Sequence, residues 1–211
     1  MQTETQRDTK SAIMDSAEFL MAEHGINGVS LREILRDAKA NPAALNYHFN
    51  SKDGLIQAIL ARRGHGIGVR RLEMLRALET TGATPTVTEF IDAVVDPLVE
   101  FLHEEGEPGR RFLRFVARLQ SDRTGIIHRM EEEEYPEMLL GMRRVLATAC
   151  STLSKKERML RMDMVEDTMY QSLANAEVMS QDWRGNGHAV ALDEYVSTLK
   201  RFLRGGLSAP G

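Results

Sequence analysis

The spacing of apolar residues constrains this chain more than any other feature. Apolar side chains recur three and four positions apart along most of its length, and no segment alternates apolar and polar residues over five or more positions, as a half-buried strand does. Three capping-box patterns mark helix starts: Ser30 with Glu33, Thr86 with Glu89, and Ser154 with Glu157. An all-α protein is therefore predicted.

Length and composition exclude several classes of protein. The 211 residues suffice for one full domain, or for a small domain joined to a medium one. No apolar stretch approaches the roughly 20 residues of a membrane helix, and the polar start lacks the apolar core of a signal peptide. Cys150 is the only cysteine, so no intrachain disulfide or cysteine-based zinc site is expected. We expect a cytoplasmic protein with no membrane segment.

Two short predicted helices lie close together near the start of the chain. They cover Ser30–Ala38 and Pro42–Phe49, with Asn41 as the N-cap of the second and Pro42 at its first position. A helix–turn–helix places its second helix in the major groove of DNA. Any three-helix bundle produces similar spacing, so the spacing alone leaves DNA binding and a plain bundle both open.

The second of these helices has two distinct faces. Leu45 and Phe49 are four residues apart and form an inner anchor. The remaining positions are small or polar, and Asn46 is suited to an adenine edge, whereas Tyr47 and His48 are suited to phosphates. Residues 1–63 hold eight basic and eight acidic residues, so DNA binding requires a focused patch rather than bulk charge.

Residues 9–60 resemble the N-terminal domain of TetR-family transcriptional repressors. The resemblance rests on Ile13, Ala17, Gly25, Ser30-Leu31-Arg32 and, above all, on the run Asn46-Tyr47-His48-Phe49-Asn50-Ser51-Lys52-Asp53-Gly54-Leu55. Two positions depart from the family pattern: Lys39 stands where a turn glycine is frequent, and Asn46 stands where a tyrosine is common. The Asn-Tyr-His-Phe variant is similar to a subgroup that includes fatty-acid-responsive repressors of lipid metabolism.

The resemblance implies a three-helix helix–turn–helix DNA-binding domain over residues 1–63 and a helical-bundle ligand-binding and dimerisation domain over residues 64–211. It implies a repressor that binds a near-palindromic double-stranded DNA operator as a homodimer and is released by a small apolar, fatty-acid-like effector. A helical adaptor or an activator of the same fold is the alternative. The DNA contacts that it implies are Ser30, Arg32 and Lys52 for phosphates, and Asn41, Pro42, Ala43, Ala44, Asn46, Tyr47 and His48 for the groove.

An enzyme is not expected. The sequence offers no paired nucleophile and base, no glycine-rich phosphate loop after a strand, and no cluster of metal ligands. Neither a metal nor a cofactor is therefore predicted. The run Glu131–Glu134 has only His128 nearby, and we expect it to be a solvated helix segment.

The second half contains candidate residues for a pocket and for a dimer interface. Methionine is abundant and suits an adaptable apolar pocket, whose predicted walls are Phe101, Leu102, Phe112, Phe115, Leu119, Met138, Met142, Tyr170 and Trp183. The predicted dimer residues are Val165, Met169, Ser172, Leu173, Ala176, Ser180, Tyr195 and Leu199, with ordinary intrachain core as the alternative.

Two further features have candidate roles. Arg111, Arg114 and Arg118 either reach an acidic head group of the ligand or form a solvated helix face. The glycines of the segment 64–68 weaken a helix, because each costs about 1 kcal/mol relative to alanine. We therefore predict a hinge there that lets a ligand alter the separation of the DNA-binding heads.

Overall fold

The computed structural model describes residues 4–122, 125–176, 178 and 189–210, and within these ranges every regular element is a helix, which confirms the all-α prediction. The helices are α1 (Glu4–His24), α2 (Leu31–Asp37), α3 (Pro42–Phe49), α4 (Lys52–Thr80), α5 (Val87–Glu105), α6 (Glu107–Ser121), α7 (Ile126–Glu134), α8 (Pro136–Ala149), α9 (Lys155–Ala174) and α10 (Leu192–Ser208).

Helix starts follow the capping residues closely. Ser30 and Thr86 complete their capping boxes, as predicted. Ser154 caps α9 with its side chain, but the third box is incomplete. The carboxylate of Glu157 instead accepts a 2.9 Å hydrogen bond from Nε of Arg161, one helical turn later. A basic residue four positions on therefore competes with the cap for the same carboxylate.

The turn between α2 and α3 holds an unusual backbone conformation at Lys39. Its φ of 51° lies in the left-handed region, where a Cβ atom costs about 1–2 kcal/mol. This is the position where the TetR family often has glycine, so the chain keeps the glycine-type turn with a lysine in it. Asn50 ends α3 with a φ of 61°, and asparagine adopts this region more easily than most residues.

The first three helices enclose a small apolar core together with the first turns of α4. Its members are fully or almost fully buried: Ile13, Met21, Ile34, Leu45, Phe49, Leu55 and Ile59. Leu45 and Phe49 are therefore the inner anchor of α3, as predicted. Since both lie on one side of α3, the other side of the helix remains open to solvent.

Two contacts connect this bundle to the rest of the chain. Helix α4 runs without interruption from the first bundle into the second, so the predicted domain boundary after residue 63 falls inside a helix. Helix α1 also packs along α6, and α6 packs in turn against α9. Helix α6 therefore lies between the helix–turn–helix and the second half of the chain.

Proline separates α7 from α8. Helix α7 ends at Glu134 and α8 begins at Pro136, because proline lacks the N–H that a continuous helix needs. Pro97, by contrast, is buried within α5. The break after α7 leaves Tyr135 between two helices, with its ring against α4.

Candidate nucleic-acid interface and regulatory cavity

The open side of α3 presents a small polar surface. Pro42, Ala43, Asn46 and Tyr47 are all exposed and recur at helical spacing, so they share one face. Tyr47 has 68% of its surface exposed, so its ring and hydroxyl group are available to a partner. We call these four residues the α3 face. It combines close approach at Ala43 with polar groups at Asn46 and Tyr47.

The two other groove candidates on α3 are less accessible. Ala44 is half-buried and packs against the core of the small bundle. His48 is also half-buried, and its ring lies edge-on to that of Tyr47 with 4.9 Å between centroids. His48 therefore contacts Tyr47, and its predicted phosphate contact stays a prediction.

Three predicted DNA contacts already have structural partners. The Ser30 hydroxyl donates to the Glu33 carboxylate over 2.8 Å, and the Asn41 side chain accepts from the backbone of Ala44 over 2.8 Å. Lys52 donates from its ammonium group to the backbone carbonyls of residues 26 and 29, and burial lowers its pKa. Arg32 is exposed in the first turn of α2. The DNA-binding roles of all four stay predictions.

The three arginines of α6 lie on the side of the helix next to α1. Arg118 is exposed, as the solvated-face alternative predicts, whereas Arg111 and Arg114 are half-buried, and none of the three lines the cavity described below. Each approaches an acceptor on α1: Arg111 Nε lies 3.6 Å from Glu18 Oε1, Arg114 Nε lies 3.9 Å from Glu23 Oε1, and Arg118 Nε donates to the Ala22 carbonyl over 3.4 Å.

Glu18 is the centre of this contact. Its side chain is only 1% exposed, and its Oε2 atom accepts from Arg62 over 3.2 Å and from Arg63 over 3.4 Å. A single carboxylate thus joins α1, α4 and α6, and we call Glu18, Arg62, Arg63 and Arg111 the Glu18 junction. A sequence signal existed, since Glu18 lies on the same helical stripe as the buried Met14 and needs a charged partner there.

A cavity lies between α4, α6, α7, α8 and α9. Three predicted pocket residues line it: Phe112, Met138 and Tyr170. Leu119 lines an adjoining cleft between α7 and α9. The other described candidates are buried core residues that line neither space, and these are Phe101, Leu102, Phe115 and Met142. Trp183 lies outside the described residues.

The sequence reasoning missed the polar residues of the cavity. Arg71 of α4 is 4% exposed, and its position on the apolar stripe between Ile67 and Leu75 was the available signal. Glu131 also lines the cavity, and desolvation raises the pKa of its carboxyl group. The predicted solvated run is therefore wrong at its first residue, whereas the following three glutamates are exposed.

The predicted dimer residues lie inside the protomer. Five of them are at most 6% exposed, so they cannot also offer their side chains to a partner: Val165, Met169, Leu173, Ala176 and Leu199. Ser172 and Tyr195 are half-buried and contact each other, because the Tyr195 hydroxyl lies 3.4 Å from the Ser172 carbonyl. The intrachain alternative is therefore the correct one for the five buried residues, whereas an interface role for Ser172 and Tyr195 stays a prediction. Ser180 lies outside the described residues.

The glycines of α4 do not interrupt the helix. Gly64 and Gly68 line the cavity, and a Cβ at Gly68 would lie 3.1 Å from the Tyr135 ring. A Cβ at Gly66 would meet no atom within 4 Å. Packing against Tyr135 thus explains why residue 68 is a glycine, but it does not explain the glycine at residue 66. The hinge stays a prediction.

Comparisons with known protein families cover both halves of the chain. Residues 13–59 match the family described as bacterial regulatory proteins, tetR family, and residues 92–206 match the tetracyclin repressor-like C-terminal domain. Helices long and apolar enough to cross a membrane are absent from the part of the chain that the structure describes.

Individual relatives agree with these matches. The chain is 30% identical over 104 residues to the HTH-type transcriptional regulator UidR of Escherichia coli K12, which covers 49% of this chain and 47% of that protein. It is 29% identical over 113 residues to the regulator YttP of Bacillus subtilis, covering 52% of this chain and 49% of that protein. The chain thus spans about half the length of the curated relatives it matches.

Solved structures share the fold over nearly the whole chain. A TetR-family regulator from Shewanella sp. PV-4 has a TM-score of 0.56 at 14% identity, covering 92% of this chain and 95% of that one. Salmonella enterica GusR has a TM-score of 0.51 at 19% identity and covers 99% of both chains. Regulators of this type are not enzymes, in agreement with the sequence. The chain belongs to the TetR family of bacterial regulatory proteins, whose members are DNA-binding transcriptional regulators.

Proposed function

We propose that this protein is a ligand-responsive repressor that binds a near-palindromic operator as a homodimer and leaves it when a small apolar effector binds. The observation that carries the proposal is the α3 face. It is an exposed helical surface with a small residue and polar groups, and Leu45 and Phe49 hold it against the buried core of the first bundle. A second protomer supplies a second such face, so two half-sites related by two-fold symmetry are expected in the operator.

A partner surface must lie outside the residues that the protomer buries. Phe202 of α10 is an exposed aromatic residue, and Gly205 and Gly206 follow it with open space at their Cα atoms. Small residues beside an exposed aromatic ring permit close approach of a second helix. This side of α10 supports the homodimer part of the proposal better than the buried residues that the sequence indicated.

The coupling between effector and DNA runs through α6 in this proposal. The cavity contacts α6 at Phe112 and Val116, and a different side of the same helix contacts α1 through Arg111. An effector that favours one position of α6 therefore also favours one position of α1 and of the α3 face. The 3.6 Å separation between Arg111 and Glu18 is longer than a hydrogen bond, so a shift of a few tenths of an ångström changes this contact.

The test is a selection of bound duplexes from a random DNA pool at about 0.1 M salt, where phosphate contacts remain effective. Enrichment of an inverted repeat is expected. Enrichment of a single half-site would contradict the homodimer. No enrichment, with a folded protein that has been denatured and refolded to remove bound ligand, would favour the adaptor of the same fold. Transcription from the selected site then distinguishes a repressor from an activator.

Tyr47→Ala is the variant that examines the α3 face. Because Tyr47 is so exposed, we expect unchanged helical content and about a tenfold loss of operator affinity, equivalent to about 1.4 kcal/mol. Leu140→Ala is the matched control, since it removes an exposed apolar side chain on α8, remote in sequence from α3. Equal operator affinities for the two variants would show that Tyr47 of the α3 face does not contact the operator.

A further inference from the structure

Arg71 is a buried cation whose hydrogen-bond donors are not all satisfied within the fold. Its Nε donates to the Val94 carbonyl over 3.1 Å, and its Nη1 donates to the Tyr170 hydroxyl over 3.3 Å. Its Nη2 is buried and has no hydrogen-bond partner among the described residues. Arginine remains protonated when buried, so this nitrogen presents unused N–H donors on a full positive charge. Groups of this kind are rare in folded proteins and call for a specific explanation.

The space beside Arg71 has room for a head group. The cavity there measures about 40 Å³ and is otherwise mainly apolar, with Ile67, Phe112 and Met138 among its walls. It adjoins the cleft between α7 and α9, of about 550 Å³, because Ile127 and Glu131 line both. A ligand can therefore place a small polar end in the cavity and a larger body in the cleft, where Leu119, Leu160 and Met164 supply the apolar contacts.

The neighbouring carboxyl groups do not satisfy Arg71. Neither Glu131 nor Glu166 forms an ion pair with it in the described part of the chain. Desolvation raises the pKa of Glu131, and desolvation together with the Glu131 charge raises the pKa of Glu166 to about 7. Near neutral pH Glu166 is therefore only partly ionised, and neither carboxyl group lies within ion-pair distance of the guanidinium group. In its protonated form Glu166 can donate a hydrogen bond to a bound anion.

We propose that the effector is an apolar carboxylic acid whose carboxylate accepts from Arg71 Nη2 in this cavity. This inference rests on the proposed function, in which a small molecule regulates DNA binding. A charge-assisted hydrogen bond inside a low-dielectric cavity orients the acid and distinguishes it from a neutral molecule of the same shape. The bound molecule then touches α4 at Gly64 and α6 at Phe112, the two helices that meet α1 at the Glu18 junction.

Acidic residues oppose the entry of an anion and give the strongest alternative. Asp163 and Asp167 line the cleft on α9, together with Glu166. A cationic amphiphile would gain from these charges and would have no use for Arg71. The experiment therefore compares molecules that share one apolar body and differ only in the charge of their head group.

The experiment is calorimetric titration of the full chain with decanoate, decanol and decylamine at pH 7. Decanoate is expected to bind at least tenfold more tightly than either analogue, and Arg71→Gln is expected to remove that preference. Leu140→Ala is the control with an exposed substitution remote in sequence. Tighter binding of decylamine than of decanoate overturns the proposal. The absence of binding by all three molecules overturns it as well.

A second measurement does not depend on the folding of the Arg71 variant. Glu166 faces Glu131, Arg71, Asp163 and Asp167, and ionisation of Glu166 adds a negative charge beside the bound acid. Decanoate affinity of the wild-type chain is therefore expected to fall several-fold between pH 6 and pH 8, and to fall less in Glu166→Gln. Affinity that rises over this interval contradicts the proposal. If decanoate binds but leaves operator affinity unchanged, the proposed binding site stands. The ligand-responsive part of the proposed function is then refuted.

Discussion

Replacing Glu18 by glutamine removes the charge at the Glu18 junction while it preserves the side-chain volume. Removal of one member of a buried ion pair costs about 3–5 kcal/mol when the remaining charge has no other partner. Here Arg62 retains Asp15 at 2.7 Å and Arg63 retains Glu105 at 2.8 Å, and both arginines keep some contact with solvent. We therefore expect a loss of about 2–3 kcal/mol in the free energy of unfolding.

The measurement is thermal unfolding followed by circular dichroism, with Glu23→Gln as the matched control. In a chain of this length a loss of 1 kcal/mol lowers Tm by about 2–4 °C, so Glu18→Gln is expected to melt about 4–12 °C below the wild type. Glu23 is exposed and lies 3.9 Å from Arg114 on the same pair of helices, so its replacement should cost less than about 0.5 kcal/mol. Equal melting temperatures for the two variants would refute the reasoning that one buried carboxylate joins α1, α4 and α6.

Two further predictions concern α4 and the pH dependence of stability. Gly66→Ala is expected to stabilise the protein by up to about 1 kcal/mol, because the new methyl group meets no neighbour and alanine favours the helix. Gly68→Ala should gain nothing or destabilise, because its methyl group would lie 3.1 Å from Tyr135; thermal unfolding of the pair compares them, and equal stabilisation would contradict the packing argument. An unchanged ligand response in Gly66→Ala would also count against the predicted hinge. Glu166 has an ordinary pKa of 4.5 and a folded-state pKa of about 7, so the folded state binds its proton more tightly and loses stability as the pH rises from about 4.5 to 7. Glu166→Gln should therefore be about 1–3 kcal/mol more stable than the wild type at pH 8 and similar to it at pH 4 in urea unfolding; parallel pH profiles for the two proteins would contradict this.

The helix–turn–helix was predictable because its signals are local. Ser30, Asn41 and Ser51 cap their helices by hydrogen bonds that span three residues, and Pro42 fits only the first turn of a helix. Leu45 and Phe49 are separated by one turn, so the buried face of α3 follows from the sequence, and its exposed face follows from that. Long-range structure was needed to see that Ala44 and His48 are partly covered.

The second half was less predictable because apolar periodicity marks a buried face without identifying what covers it. Val165, Met169 and Leu173 carry a pattern that a dimer interface and an intrachain core share equally. Charged residues are limited in the same way, because the sequence does not show which helix covers them. Arg111 and Arg114 fit a solvated helix face in the sequence, and only the packing of α1 on α6 shows that they approach acidic residues of α1.

The sequence by itself determined the all-α class, the position of the helix–turn–helix and the resemblance to the TetR family, since these depend on spacing, capping and motifs among residues that are close together in the chain. Only the tertiary structure decided that Glu18 joins three helices and that Arg71 stands in a cavity with an unused donor. Glu18 and Arg63 are 45 residues apart, and Arg71 and Tyr170 are 99 residues apart. Contacts at such separations depend on how whole helices pack, and that packing is settled by the sum of many buried surfaces rather than by any local pattern.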